Sequence, residues 1–232
     1  MKRTHYTVRI IASDRFPTPP PPPFQDSYPV RLTDGNYLEL PLQPFPDGKQ
    51  AIALLMSNQT PFAVEQALTP LLADAARAFE PEAIAGIPTL GLDYARVVAK
   101  NLGLPDYVAL GTSRKFWYDD TLSVPVVSVT SPDAKKSLYL DPSLLERVAG
   151  KRTLIVDDVI NTGGTAIAAI QLLQTAGTIV VGLVVVLTEG HDWKEPLSQI
   201  APELVQQVRG LGHIPIFEQV DGGWAPILAT QF

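Results

Sequence analysis

LIVDDVINTGGTA, spanning Leu154–Ala166, is the stretch of this 232-residue sequence that decides the fold. Its apolar opening predicts a buried strand, and the helical pattern of Thr165–Ala176 that follows ends at a glycine. The β-branched run Ile179–Leu187 then predicts the next buried strand. Two buried strands joined by a helix form one parallel crossover unit, so this stretch predicts an α/β fold.

The same alternation of strands and helices is found on the N-terminal side of this unit. The sequence predicts strands at Ala83–Ile87 and Tyr107–Leu110, with a helix over Leu92–Leu102 between them. A helix over Leu71–Phe79 is predicted to start at Thr69-Pro70, because a threonine N-cap followed by proline is a favourable helix start. We therefore expect an α/β core with a central, mostly parallel sheet flanked by helices.

The segment before this core has a different pattern. Alternating apolar residues over 30–55, broken by Asp-Gly dipeptides, predict two or three antiparallel strands. The run Pro19–Pro23 predicts an extended polyproline connector, because proline lacks the amide that a helix or sheet interior needs. We divide the chain into residues 1–68, a cover made of strands and connector, and residues 69–232, the core with additional C-terminal elements.

The C-terminal half contains further elements outside the crossover unit. Leu122–Val129 and Ser137–Leu140 predict the two arms of a hairpin with a polar tip. A last helix is predicted over Glu203–Arg209, and a strand over Ile214–Gln219.

Two adjacent carboxylates, Asp157 and Asp158, are predicted to follow the central strand and to precede a Thr-Gly-Gly-Thr loop that opens into a helix. The unpaired amides of a helix N-terminus attract anions, and Gly163 and Gly164 let the backbone curl around one. Two carboxylates would repel the same anion unless the ligand also carries hydroxyls that donate to them. The sequence therefore predicts a ligand with a phosphate and a ribose diol, and Mg²⁺ brought by that ligand would offset the remaining repulsion.

Composition and charge limit the classes of partner. A formal charge of -6 argues against a nucleic-acid-binding protein, because phosphate contacts need a concentrated basic face. Without cysteine there is no disulfide, no thiolate metal site and no cysteine nucleophile. The most apolar run, Ile179–Leu187, is too short to cross a bilayer, and no secretory signal opens the chain. We expect a small-molecule ligand, no membrane partner and a cytoplasmic location.

The decisive stretch closely resembles the diphosphoribosyl-binding signature of type I phosphoribosyltransferases. These enzymes transfer ribose 5-phosphate from 5-phosphoribosyl 1-diphosphate (PRPP) to a nitrogenous base and release pyrophosphate. The resemblance covers residues 83–187 and is nearest to the adenine phosphoribosyltransferase branch. It implies that Asp157 and Asp158 are the catalytic residues and face the ribose hydroxyls. It also implies a loop around the 5′-phosphate, formed by Asn161, Thr162, Gly163, Gly164 and Thr165. Asparagine at the first of these positions replaces the small residue that is usual in the family.

The resemblance also places the pyrophosphate. The segment AGIPTLG resembles the family's pyrophosphate loop, so Thr89, Leu90 and Gly91 are expected to contact the leaving group. Leu90 stands where the adenine branch commonly has arginine. Arg114 and Lys115 fall where the family carries a basic pair that meets the pyrophosphate.

Closure of the site and proton transfer are further expectations from the resemblance. The hairpin within residues 116–140 matches the family's flexible loop, with Lys135 and Lys136 at its tip in reach of the diphosphate. The group that takes a proton from the incoming base stays open between Asp119, Asp120 and the acid pair of the signature.

Base recognition in this family comes from a hood, which the resemblance places in the chain's terminal segments. The candidates are the N-terminal strands, Glu189–Trp193 and Ile214–Trp224. Phe217 can either stack on the base or pack in the core. His191 and Trp193 follow the last long predicted strand and are either loop residues or part of the pocket wall. The resemblance further implies Mg²⁺ bound through PRPP, with no protein ligand assigned to it directly, and a homodimer.

Two functions remain open from the sequence. The first is a Mg²⁺-dependent phosphoribosyltransferase of nucleotide metabolism that salvages a purine-like base. The second is a non-catalytic, PRPP-sensing regulator, because the same fold serves as an effector module in transcription factors. Such regulators usually attach a DNA-binding winged helix, whereas the residues before Leu71 are proline-rich and not basic. A protein-binding module that uses the proline run would leave the acid pair and the loop unexplained.

Overall fold

The computed structural model of the protein describes residues 6–15, 18–126 and 136–231. In chain order its strands are β1 (Arg9–Ile11), β2 (Ser27–Arg31), β3 (Tyr37–Pro44), β4 (Gln50–Ala53), β5 (Ala83–Gly86), β6 (Val108–Ala109), β7 (Ser123–Val126), β8 (Lys136–Tyr139), β9 (Arg152–Ile160), β10 (Ile179–Glu189), β11 (Val208–Ile214), β12 (Phe217–Val220) and β13 (Gly223–Pro226). Its α-helices are α1 (Phe62–Arg77), α2 (Gly91–Asn101), α3 (Gly164–Thr175), α4 (Lys194–Ile200) and α5 (Pro202–Val205). Short 3-10 helices lie at Ser57–Gln59, Asp120–Leu122, Pro142–Arg147 and Leu228–Thr230.

The central sheet has the strand order β11-β10-β9-β5-β6, and all of its neighbouring strands are parallel. Most apolar residues of β9 and β10 are buried, with Ile179 exposed at the start of β10, because helices cover the faces of a parallel sheet. This confirms the predicted α/β class and the crossover unit β9-α3-β10. The predicted strands at Ala83–Ile87 and Tyr107–Leu110 and the helix between them are confirmed as β5, β6 and α2.

A second sheet, which we call the hood sheet, is antiparallel and has the order β1-β3-β4-β12-β13, with β2 paired to β3. It combines strands from both ends of the chain, as the predicted hood does. It packs against the central sheet where β2 crosses β11. A Cβ on Gly212 would lie only 2.7 Å from Val30 Cγ1, so glycine lets the two sheets approach. The arms of the predicted hairpin are confirmed over residues 123–126 and 136–139 as β7 and β8, whereas residues 127–135, with most of the tip, lie outside the described residues.

The predicted start of the first helix is wrong. Helix α1 begins at Phe62, after Pro61, and runs through Pro70. Its buried stripe, which includes Val64, Leu68 and Leu72, has helical spacing on both sides of the proline. Burial of those side chains outweighs the cost of an internal proline, about 3 kcal/mol. The division of the chain after residue 68 therefore falls within a continuous helix.

The C-terminal elements also differ from the prediction. The predicted helix over Glu203–Arg209 is limited to the short α5. The single strand predicted over Ile214–Gln219 is divided between the end of β11 and the start of β12, with a break at residues 215–216. The chain re-enters the central sheet earlier, as β11, and then crosses to the hood sheet as β12. Two glycines in β11 remove the apolar alternation by which a strand is recognised, which explains the error.

Candidate active site

The acid pair lies on strand β9, not after it. The sequence predicts that the strand ends at Val156, but pairing with β10 continues to Ile160. On its other side, β9 loses its partner after the Gly86–Val156 pair, where β5 ends. Asp157 and Asp158 therefore lie on the part of β9 that pairs with β10 but no longer with β5, at the carboxyl end of the sheet. Such edges are where parallel sheets bind ligands.

Both carboxyl groups have raised pKa values. Burial is the main cause for Asp157, and the neighbouring negative charge of Asp158 adds to it. Burial is also the main cause for the raised pKa of Asp158. The backbone amide of Asp158 donates a hydrogen bond of 2.9 Å to Asp157 Oδ1. Two desolvated, adjacent carboxylates are stabilised by hydroxyl donors or by a cation, so this pair is suited to a ligand that supplies them.

The loop between β9 and α3 forms a concave pocket of about 120 Å³, lined by Asp157 and by Val159 to Ala166. We call it the loop pocket. Gly163 caps α3 with a φ of 79°, a left-handed conformation that favours glycine. A Cβ at this position would also lie 3.1 Å from the Cβ of Trp193. The structure thus brings together the predicted residues Asn161, Thr162, Gly163, Gly164 and Thr165 at the N-terminus of a twelve-residue helix.

The segment after β5 packs directly against the acid pair. A Cβ on Gly91 would lie 2.5 Å from Asp157 Oδ1 and 2.8 Å from Asp157 Cα, so only glycine allows α2 to start here. Ser57 Oγ lies 2.7 Å from the carbonyl oxygen of Leu90 and fixes the turn from the hood side. The peptide bond before Thr89 is cis. The predicted pyrophosphate loop and the acid pair are therefore neighbours.

In the structure, Arg114 of the predicted basic pair contacts an acidic side chain, Asp120. Arg114 and Lys115 are exposed, and Arg114 Nε donates a hydrogen bond of 2.6 Å to Asp120 Oδ1. That bond lowers the pKa of Asp120, and hydrogen bonds from Thr121 lower the pKa of Asp119. A lowered pKa makes a carboxylate a weaker proton acceptor. Of the two tip lysines, Lys136 begins β8, and Lys135 lies outside the described residues.

The stacking role considered for Phe217 is corrected. Its ring is fully buried in the core, edge-to-face with Tyr28 at a centroid distance of 4.9 Å and with Phe24 at 6.3 Å. No face of the ring is accessible to a base. Trp193 is buried beside the loop, and His191 stacks on His213 at 5.2 Å.

A second pocket lies between the hood sheet and the acid strand, and we call it the hood pocket. It has a volume of about 200 Å³ and is lined by Ile52, Ala53, Leu54, Leu55, Asp158, Val159, Asn161, Glu189 and Ile214. Asp157 lines the loop pocket and Asp158 the hood pocket, whereas Asn161 lines both.

Glu189 of the hood pocket was only part of a candidate segment in the sequence. It ends β10, next to the end of β9, and its carboxylate oxygen Oε2 accepts a hydrogen bond from Asn161 Nδ2. Burial raises its pKa to about 7. A carboxylate directly after a long apolar strand was the available signal, but its partner is 28 residues away in the chain.

Within the described residues, no three or more His, Cys, Asp or Glu side chains are grouped so that they could hold a metal ion. No helix among those residues has the length and apolar composition needed to span a membrane.

Comparisons with known proteins give concordant matches. Residues 61–206 match the family model of the phosphoribosyl transferase domain. The adenine phosphoribosyltransferase of Kineococcus radiotolerans is 36% identical over 140 residues, which cover 55% of this chain and 72% of that protein. The enzyme of the same name from Frankia casuarinae is 34% identical over 165 residues, 65% of this chain and 77% of that protein.

Solved structures show the same fold at lower identity. Adenine phosphoribosyltransferase from Rhodothermus marinus has a TM-score of 0.56 and 20% identity, covering 75% of this chain and 93% of that one. The enzyme from Trypanosoma brucei, solved in complex with AMP, pyrophosphate and ribose-5-phosphate, has a TM-score of 0.54 and 17% identity, covering 65% and 66%.

Proposed function

We propose, from the premise that the chain belongs to the phosphoribosyl transferase domain family, that it transfers ribose 5-phosphate from PRPP to a nitrogenous base and releases pyrophosphate. A purine-like base is favoured, because the relatives from Kineococcus and Frankia are named for adenine. The names of these relatives are those of enzymes, which favours a transferase over a PRPP-sensing regulator.

One observation carries the proposal: the buried acid pair stands between two helix N-termini. Helix α3 begins at the loop pocket, and α2 begins against Asp157 itself. PRPP carries a phosphate at one end, a diphosphate at the other and a diol between them. We assign the 5′-phosphate to residues 161–165, the diol to the acid pair, and the diphosphate to the backbone amides of 89–91.

The charges of this site suit the bond that breaks. The anomeric carbon becomes positive as pyrophosphate leaves, and the carboxylates of Asp157 and Asp158 stabilise that positive charge. The negative charge that develops on the leaving group is met by the amides at the start of α2. Arg114 can add a cation only after it exchanges Asp120 for the diphosphate.

Mg²⁺ fits this site by the chemistry of its donors. Oxygen ligands suit Mg²⁺, and a cation would offset the burial and the neighbouring charge of Asp158 that raise the pKa of Asp157. When bound with PRPP, Mg²⁺ would neutralise charge on the diphosphate. Asp157 and Asp158 are the residues that would face it. A homodimer and a cytoplasmic location complete the proposal, from the resemblance and the sequence respectively.

The test is release of pyrophosphate from PRPP and Mg²⁺ in the presence of a panel of bases. We expect base-dependent release, and a loss of roughly 100-fold or more for Asp157→Asn with Asp158→Asn. Asp74→Asn, an exposed carboxylate of α1, is the matched control. Thermal stabilisation by PRPP without release for any base would favour the regulator. Absence of both effects would overturn the proposal.

A further inference from the structure

Glu189 is a buried carboxyl group at the end of β10, in the wall of the hood pocket. Only 4% of its surface is exposed. Its Oε2 accepts a hydrogen bond from Asn161 Nδ2, whereas its Oε1 is buried and has no hydrogen-bond partner among the described residues. Buried polar atoms of folded proteins are nearly always hydrogen-bonded. An oxygen without a partner, on a residue that lines a pocket, therefore indicates a ligand that brings a hydrogen-bond donor.

The hood pocket has the position that the acceptor base requires. Asp158 belongs to the acid pair assigned to the ribose diol, and it lines this pocket together with Glu189. A base that reacts at the anomeric carbon must lie beside that ribose. The other walls include the apolar side chains of Ile52–Leu55 and Ile214, which suit the faces of an aromatic base. A base in this pocket would therefore lie within the same walls as the Glu189 carboxyl.

The proposed reaction releases a proton. A ring nitrogen of the base forms a bond to the anomeric carbon while the bond from that carbon to pyrophosphate breaks. The N–H bond of the base must break as well, and its electron pair stays on the base. A carboxylate that reaches this N–H can accept the proton and so lower the barrier.

The carboxylates considered from the sequence are less suited to accept it. Asp119 accepts hydrogen bonds from the backbone amide and the hydroxyl of Thr121, and Asp120 is paired with Arg114. Both carboxylates are exposed, and these contacts lower their pKa values, which makes them weaker proton acceptors. The acid pair of β9 is assigned to the ribose hydroxyls.

Burial gives the Glu189 carboxyl a suitable basicity. It raises the pKa to about 7, and the hydrogen bond from Asn161 acts in the opposite direction. The titratable groups around it are Asp158 in the same pocket and the stacked rings of His191 and His213. No charge of the described residues contributes to the shift. A carboxyl of this kind is substantially ionised at neutral pH and still basic enough to accept a proton.

We propose that Glu189 is the catalytic residue that takes the proton from the ring nitrogen of the acceptor base, on its Oε1. The inference rests on the proposed function and adds the group that moves the proton. Oε1 is covered by the chain, so the carboxyl turns about its side-chain bonds toward the hood pocket as the base enters, a movement that breaks no hydrogen bond of Oε1. After the transfer Glu189 is a neutral acid, which suits its burial, and it returns the proton to solvent when the nucleotide leaves.

The test is the pH profile of pyrophosphate release with adenine, hypoxanthine and guanine, each compared with its 8-aza analogue, whose ring N–H is more acidic. It is measured on the wild-type chain, Glu189→Gln and Asn161→Ala. Glutamine keeps the shape of Glu189 but cannot accept the proton. Glu218→Gln, which removes an exposed carboxylate of the hood sheet, is the matched control and should keep the wild-type profile.

With the base that supports the fastest release, we expect the wild-type kcat/KM to fall tenfold per pH unit below about pH 7. Glu189→Gln should lose this fall and lower kcat roughly 100-fold, with KM within about threefold of the wild-type value. The loss should shrink to less than about tenfold with the 8-aza analogue, because a more acidic N–H needs less help from a proton acceptor. Asn161→Ala should move the fall to higher pH, because it removes the hydrogen bond that lowers the pKa of Glu189. A purely structural role would not move the profile in this way.

The results that would overturn the inference differ from those that would overturn the proposed function. Base-dependent release whose fall at low pH survives in Glu189→Gln would refute the role of Glu189 and leave the transferase standing. An equal loss of kcat with a purine and its 8-aza analogue, or a profile that Asn161→Ala does not move, would have the same meaning. Absence of release from the wild-type chain with every base would overturn both.

Discussion

Replacing Glu189 by glutamine is expected to make the protein more stable, and more so as the pH rises. Burial raises the pKa of Glu189 from its ordinary value of 4.5 to about 7. The folded state therefore favours the protonated acid. The difference, 7 minus 4.5, is about 2.5 pH units and corresponds to about 3 kcal/mol at 1.36 kcal/mol per unit. The side chain is 4% exposed, so solvent screens little of this free energy.

The sign follows from the raised pKa. Below pH 4.5 the carboxyl is protonated in both the folded and the unfolded chain, and ionisation costs the folded state nothing. As the pH rises from 4.5 to about 7, the unfolded chain ionises while the folded chain stays protonated, so the free energy of unfolding falls. Above about pH 7 both states are ionised and the loss is complete. Glutamine has no such cost. The stability gained by Glu189→Gln should grow by about 3 kcal/mol between pH 4 and pH 8.

Urea unfolding followed by tryptophan fluorescence at several pH values measures this difference. Glu218→Gln, which removes an exposed carboxylate, is the control and should shift the unfolding free energy by less than about 0.5 kcal/mol at every pH. A gain for Glu189→Gln that stays constant from pH 4 to pH 8 would refute the reasoning, because it would show that folding does not raise the pKa of Glu189.

Three other changes give distinct outcomes. Asp157→Asn should raise the unfolding free energy at pH 8, because the raised pKa of Asp157 marks a destabilising charge, while pyrophosphate release falls roughly 100-fold; calorimetry and the release assay check both. Gly91→Ala should lower the stability by about 1–3 kcal/mol and should also lower the activity, because its Cβ would overlap Asp157. The control is Gly111→Ala, which should be tolerated because its Cβ would meet nothing nearer than 3.7 Å. Phe217→Ala should cost about 3–5 kcal/mol of stability by emptying the core, yet leave the choice among bases in the pyrophosphate-release assay unchanged, because its ring has no face open to a ligand.

The crossover unit and the loop could be predicted because their signals are local. An apolar strand, two acids and a double glycine at a helix start lie within thirteen residues, Leu154–Ala166. The length of β9 could not be predicted, because Asp157 and Asp158 interrupt its apolar pattern. Pairing with β10 and the packing of Gly91 hold these acids on the strand. Tertiary packing overrides local preference at this position.

Misassigned residues mark where distant segments meet. Thr69-Pro70 has the chemistry of a helix start, but the apolar stripe of α1 begins a full two turns earlier. Phe217 has the chemistry of a stacking platform, but it is covered by Phe24 and Tyr28 from the other end of the chain. Glu189 and Asn161 are individually ordinary. Only the register of neighbouring strands makes them a pair, and register is set by the whole sheet.

Strands β4 and β12, from the N-terminal and C-terminal parts of the chain, pair with each other and together form the wall above the hood pocket. During synthesis, the acid strand and its glycine loop leave the ribosome well before Phe217–Val220 does, so this wall is finished late. A nascent chain stopped near Ile200 would contain the acid pair and the glycine loop yet lack the strand β12 that pairs with β4 above the hood pocket.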